Sequence, residues 1–264
     1  MFDRLIAWLR RTWASRATSR SRTSGKPTSS NGASSFHLWW DLPEIPLREV
    51  SVTLEVARPP AVNELYFFAV QASFMRRVER FGGAHLGLQW NPRYPRNRAV
   101  NWGGYDEFGA ILPGTRSPLP SQPNDPNTRN YPWEPGHQYR LRIGPASAST
   151  TGQIAWPGVI TEVASGETVV VRELLTGGDA LRGPVVWMEV FAECGHPTVV
   201  IRWSDLVAVT TDGTELRPKS CRTAYQTYQR GGCTNTASGA TGSAFVQRTN
   251  TERLTPADTL LTLD

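Results

Sequence analysis

The sequence predicts an all-β fold, a two-sheet antiparallel β-sandwich of the jelly-roll, concanavalin A-like kind, with a short N-terminal amphipathic helix in front. Three observations predict it. Past residue 36 no stretch keeps apolar side chains at helical spacing for three turns. Many short runs instead alternate apolar and polar residues, with turn signals about every 8–14 residues. The composition is rich in turn formers and rings, with 23 Gly, 20 Pro and 10 Trp in 264 residues. A jelly roll is the commoner all-β solution at such a length.

The first element is helical. In "MFDRLIAWLRRTWASR", Phe2, Leu5, Ile6, Leu9 and Trp13 form one stripe flanked by Arg4, Arg10 and Arg11. Residues 1–13 therefore read as a basic amphipathic helix, and residues 2–13 as a peripheral membrane contact. The plainer alternative is a frayed extension, or residues added by a start codon other than the true one. The stripe is broken by arginines and does not make a signal peptide, and no apolar run nears the ~20 residues of a membrane span. As written, the chain reads as cytoplasmic or peripheral membrane, and the compartment stays open.

Residues 14–36 are Ser/Thr/Gly-rich and read as a flexible linker. The sandwich is expected over 37–253, with a C-terminal tail over 254–264. "FHLWWDLP" opens it, Trp39 and Trp40 marking the first core residues. "SVTLEV" places Val52, Leu54 and Val56 on one face. "LYFFAVQASF" has Tyr66, Phe68, Val70, Ala72 and Phe74 on one face and Phe67, Ala69, Gln71 and Ser73 on the other, as a central strand does. "AHLGLQWN" splits likewise: Leu86, Leu88 and Trp90 share a face, opposite His85, Gly87 and Gln89. A Pro/Asn-rich loop follows "EFGAIL" and cannot lie in a sheet interior. "HQYRLRIG", "QIAWPGVITEV", "ETVVVREL", "PVVWMEVFAE", "TVVIRWSDLVAVT" and "SAFVQRTN" supply the remaining strands.

Charge narrows the function classes. The net charge is +5, but residues 1–26 hold seven basic residues against one acid, so the remainder comes to −1. A nucleic-acid partner needs a basic face on the folded domain, and none is expected here. No phosphate-binding loop, dinucleotide fingerprint, nucleophile elbow or metal-ligand spacing is present, so neither cofactor nor metal is expected. Three cysteines, Cys194, Cys221 and Cys233, do not make a disulfide scaffold. One bridge is compatible with an oxidising compartment, and spacing alone favours Cys221 with Cys233.

"AHLGLQWN", "YPWEPGHQYRLRI", "GVITEVASGETVVVREL", "WMEVFAEC" and "GGCTNT" occur in an order that resembles the bacterial domain-of-unknown-function family numbered three-four-seven-two. The resemblance covers about residues 60–250, and Trp133, Gly136, Tyr139, Leu141, Gly166, Glu167, Glu189, Cys194 and Cys233 fall on its pattern. It implies a lectin-like jelly-roll sandwich, a glycan-related role and export, with no established catalytic residues. For an oxidised chain it implies a Cys194–Cys233 bridge that leaves Cys221 free.

The candidate ligand-binding residues are His85, Gln89, Asn101, Trp102, Tyr105 and Asp106. Gly87 leaves a hollow between His85 and Gln89, and aromatic rings beside Asn and Asp suit a pyranose. Glu189 shares a strand face with Val185, Trp187 and Phe191, so it is either partnered or has a raised pKa. Its ordinary role would be a salt bridge to Arg140, Arg142, Arg172 or Arg202. The leading expectation is non-catalytic carbohydrate binding. One alternative is a polysaccharide hydrolase or lyase using Glu189 with Asp106 and Glu107. Another is a membrane-tethered scaffold that binds protein partners.

Overall fold

Alternation is what makes the strands. Ser51, Thr53 and Glu55 leave Val50, Val52, Leu54 and Val56 on one buried face, and the same rhythm recurs along the chain. The computed structural model describes residues 20–148 and 152–264. Its strands are β1 Ser34–Trp40, β2 Leu47–Arg58, β3 Tyr66–Arg76, β4 Glu79–Trp90, β5 Arg98–Tyr105, β6 Thr128–Asn130, β7 Gln138–Ile143, β8 Ser147–Ala148, β9 Ile154–Glu162, β10 Thr168–Thr176, β11 Ala180–Val190, β12 Val200–Thr210, β13 Glu215–Leu216, β14 Ser220–Tyr225, β15 Thr236–Thr241, β16 Ala244–Thr249 and β17 Leu260–Thr262.

They form two antiparallel layers. The first runs β17-β14-β1-β11-β3-β4-β5-β6. The second runs β15-β16-β12-β2-β7-β9-β10, with β13 beside β12 and β8 beside β9. A single bridge, Leu181 to Leu47, joins the two layers. Phe36, Leu38, Phe68, Leu86 and Met188 of the first layer and Val52, Leu54, Leu141, Trp203 and Phe245 of the second belong to one buried core. Gln247 is wholly buried there. It accepts from Trp203 Nε1 at 2.9 Å and donates to the Phe36 carbonyl at 2.9 Å, so the amide ties the layers together without an orphaned group.

The all-β, two-sheet antiparallel expectation is met, one call is not covered, and four details differ from the sequence reading. The helix expected over 1–13 lies outside the described residues. From residue 20 the expected linker is held against the body: Thr234 N donates to Arg22 O at 2.8 Å, Cys194 N to Gly25 O at 2.8 Å, and Thr28 N to Gly231 O at 3.0 Å. A composition unable to build a core is ordered here by its neighbours' backbone groups. The expected tail contributes β17, and Trp39 is 43% exposed because alternation buries only Trp40.

Trp102 is the fourth. Its side chain points into the inter-sheet core, fully buried, with Nε1 donating to Trp156 O at 3.1 Å. It is not on the ligand face expected for it. Cys194 and Cys233 form a disulfide, and Cys221 is free and buried, its thiol pushed far up by burial and then by Asp41.

Candidate functional site

The outer face of the first layer carries a hollow of about 560 Å³. Strand register shows how the sequence builds it. Ser35, Glu189, Phe67 and Gln89 lie level across β1, β11, β3 and β4. The next level is His37, Trp187, Ala69, Gly87 and Asn101, and the one after it Trp39, Val185, Gln71, His85 and Gly103. The small residues fall in the middle. At Gly87 a Cβ would lie 2.0 Å from Phe68 O, so no side chain can stand there and the floor stays low.

Rings line this floor. Phe67 meets Trp187 edge-on at 4.9 Å between centroids and His85 at 5.3 Å, and His85 meets Trp187 at 5.8 Å. Phe67, Ala69, Val185 and Trp187 form a small apolar cluster separate from the main core. Burial holds both His37 and His85 down to about 4, so the rings are neutral at ordinary pH.

Amides supply the polar groups. Trp187 Nε1 donates to Gln71 Oε1 at 3.2 Å, and Asn91 Nδ2 donates to Gln89 Oε1 at 2.9 Å. Each bond fixes the amide's oxygen and leaves its NH₂ group for the hollow. Asn101 donates to Thr128 Oγ1 at 2.9 Å, and its own Oδ1 is buried without a partner.

Glu189 is the carboxylate of this floor. It is half-buried, and burial raises its pKa against the smaller opposing effect of Asn31, whose Nδ2 donates to Oε1 at 2.9 Å. The expected arginine partner is absent. Arg142 pairs with Glu49 at 3.2 Å, Arg202 with Glu55 at 3.4 Å, Arg140 donates to Ser51 Oγ at 3.2 Å, and Arg172 engages neutral acceptors. None of the four bonds to Glu189: their strands lie in the other layer, and Arg172, which does reach across, ends on Trp102 O and Asn127.

Of the sequence candidates, His85, Gln89, Asn101, Tyr105, Asp106 and Glu189 line the hollow, and Trp102 and Glu107 do not. The carboxylate set expected for a polysaccharide hydrolase or lyase is not assembled. Asp106 follows Tyr105, which is level with Gly83, whereas Glu189 is level with Gln89 two strands away. That places them about 20 Å apart along the strands. Asp106 Oδ1 also accepts from Phe108 N at 3.0 Å and Ala110 N at 2.8 Å, closing its own turn, and Glu107 is exposed on that turn. Among the described residues no cluster of His, Cys, Asp and Glu could hold a metal ion.

Sequence reasoning singled out neither Asn31, His37, Gln71 nor Trp187 as site residues. The second face of β3 and the face shared by Trp187 and Glu189 were the signal for two of them. Asn31, 158 residues from Glu189, gave none.

No family model matches the chain, and no curated protein matches it. Among solved structures it is similar to Scytalido-glutamic peptidase with a peptide-based transition-state analogue, at a TM-score of 0.46 and 9% identity over 85% of this chain and 98% of that one. It is also similar to SCP-B, a member of the eqolisin family of peptidases, in complex with the tripeptide Ala-Ile-His, at a TM-score of 0.45 and 10% identity over the same shares. Likeness of that degree says nothing about this chain's chemistry.

Proposed function

We propose that the hollow is the active site of a hydrolase that cleaves an amide bond in an extended chain, with Glu189 as its acid–base group. One observation carries this reading: a half-buried carboxyl with a raised pKa and an amide, not a cation, as its partner, placed in an open hollow. Ionised Glu189 takes a proton from water, which attacks the carbonyl carbon. Gln89 faces it across Phe67, about 10 Å away between Cα atoms, and its NH₂ group steadies the developing oxyanion. Protonated Glu189 then returns the proton to the departing nitrogen. Glycoside hydrolysis fits less well, because it calls for a second carboxyl about 5–10 Å away.

The test is hydrolysis of casein and of a quenched fluorescent peptide library between pH 3 and 7. Cleavage is expected to rise across this range as Glu189 ionises, and to be reduced about 10²–10⁴-fold in Glu189→Gln with the fold intact. No cleavage by the wild-type protein, or equal cleavage by the variant, overturns the reading.

A second reading is favoured by the ring cluster and its surrounding amides: carbohydrate binding without turnover, in keeping with a lectin-like jelly roll. His85, Gln89, Asn101, Tyr105 and Asp106 would contact the sugar, with Trp187 stacking on it. Glycan-array binding that survives Glu189→Gln but is lost in Trp187→Ala would support it.

A further inference from the structure

A second cavity, of about 720 Å³, lies outside the hollow, between the loop before β6 and the strand β10. Two guanidinium groups form its wall. Arg172 is 5% exposed and Arg129 is 7% exposed. Arg172 Nη1 donates to Pro126 O at 2.6 Å, and Arg129 Nη2 donates to the same carbonyl at 3.0 Å. Two cations thus converge on one neutral oxygen.

Their remaining bonds are neutral too. Arg172 donates through Nε to Trp102 O at 3.2 Å and through Nη2 to Asn127 Oδ1 at 2.9 Å. Arg129 Nη1 donates to Asp125 O at 3.2 Å and to Thr128 O at 2.8 Å. Among the described residues neither forms a salt bridge. Asp125 is the acid on this wall, but its oxygens serve Thr128 N, the Tyr94 hydroxyl and Arg93.

Burying two like charges without a counter-ion is costly, and each guanidinium has five donors, more than these carbonyls take up. Burial, and then the charge of Arg129, lowers the Arg172 pKa to about 10, which leaves it charged at neutral pH. Arg116, exposed on the facing loop, brings a third cation to the rim. Gly114 lies flat against Arg172: a Cβ there would come within 3.0 Å of Cζ. The wall is thus built from groups that leave guanidinium edges free.

We propose that this cavity binds a tetrahedral oxyanion, phosphate or sulfate, held between Arg116, Arg129 and Arg172. Bidentate guanidinium donors match the oxygen spacing of such an ion, and the neutral carbonyls fix the forks in advance. The site is independent of Glu189 and stands or falls apart from the hydrolase reading.

Calorimetric titration of the whole protein with inorganic phosphate and with sulfate, at ionic strength fixed with sodium chloride, tests it. One site per chain is expected, with affinity weakened at least fivefold by Arg116→Ala and by Arg129→Lys. Arg116 is exposed, so its variant keeps the fold even where the Arg129 variant does not. A third arm uses dextran sulfate. Competition with phosphate assigns the oxyanion to a polymer-borne group, and its absence alongside phosphate binding assigns it to the free ion. No heat beyond the chloride control, or unchanged affinity in Arg116→Ala, overturns the proposal.

Discussion

Trp102 and Tyr105 stand three residues apart on β5 and face opposite environments, the first fully buried and the second 50% exposed. Burial of an indole with its N–H satisfied by Trp156 O makes Trp102 a packing residue. Trp102→Ala should cost about 3–5 kcal/mol, from lost transfer energy and the cavity left behind. Tyr105→Ala should stay within about 0.5 kcal/mol, as exposed substitutions do. Urea unfolding of the two variants checks this directly. Ligand or substrate affinity should show the reverse order, falling in Tyr105→Ala while Trp102→Ala acts only through loss of fold. Equal unfolding midpoints for the two would show that the indole is not a core group.

At the scale of strands, period-two alternation was legible. It separated Leu86 and Leu88 from His85 and Gln89 on β4, and the structure puts the second pair on the hollow. At β5 alternation would have set Trp102 opposite Asn101 and Tyr105, but Gly103 and Gly104 resemble a turn, where alternation does not apply. Both lie inside the strand. A Cβ on Gly104 would come 2.3 Å from Gly83 O, and one on Gly103 would come 2.4 Å from the Asn127 side chain. Glycine here marks close approach, which a single sequence does not distinguish from a turn. The strap over residues 20–33 was illegible for another reason. Its order depends on partners such as Cys194 and Gly231, far away in the chain. That strap delivers Asn31 to Glu189, and the Asn31 bond favours the ionised carboxyl. Asn31→Ala should therefore raise the Glu189 pKa further. The limb of the pH–activity profile on which Glu189 ionises should move to higher pH, and so should the midpoint of its carboxyl ¹³C shift. A midpoint that stays still or moves down would remove Asn31 from the site.

For the whole molecule, the hollow sets how stability depends on pH. His37 and His85 titrate near 6.5 when unfolded and near 4 when folded, because burial opposes the imidazolium. His196 is lowered for the same reason. Between those values the unfolded chain binds more protons than the folded one, so stability falls as pH drops from 6.5 to about 4 and these rings add no further loss below that. Each of the two groove histidines contributes at most about 3 kcal/mol, less whatever water screens at the open face. Glu189 acts in the opposite sense. Its raised pKa gives a contribution present at low pH and lost as pH rises through the folded value, so it offsets part of the histidine slope. Arg80 and Asp106 are the other charged groups lining the hollow. Urea midpoints measured from pH 7 to 4 should therefore decline steadily. His85→Gln should flatten that decline by roughly half of the two-ring effect, because a neutral amide has no proton to gain. Glu189→Gln should steepen it. A decline unchanged by His85→Gln would mean that the ring is not held neutral by the fold. Glu189 would then share the hollow with an imidazolium, and a carboxyl beside a cation would lose the raised pKa on which its acid–base role depends.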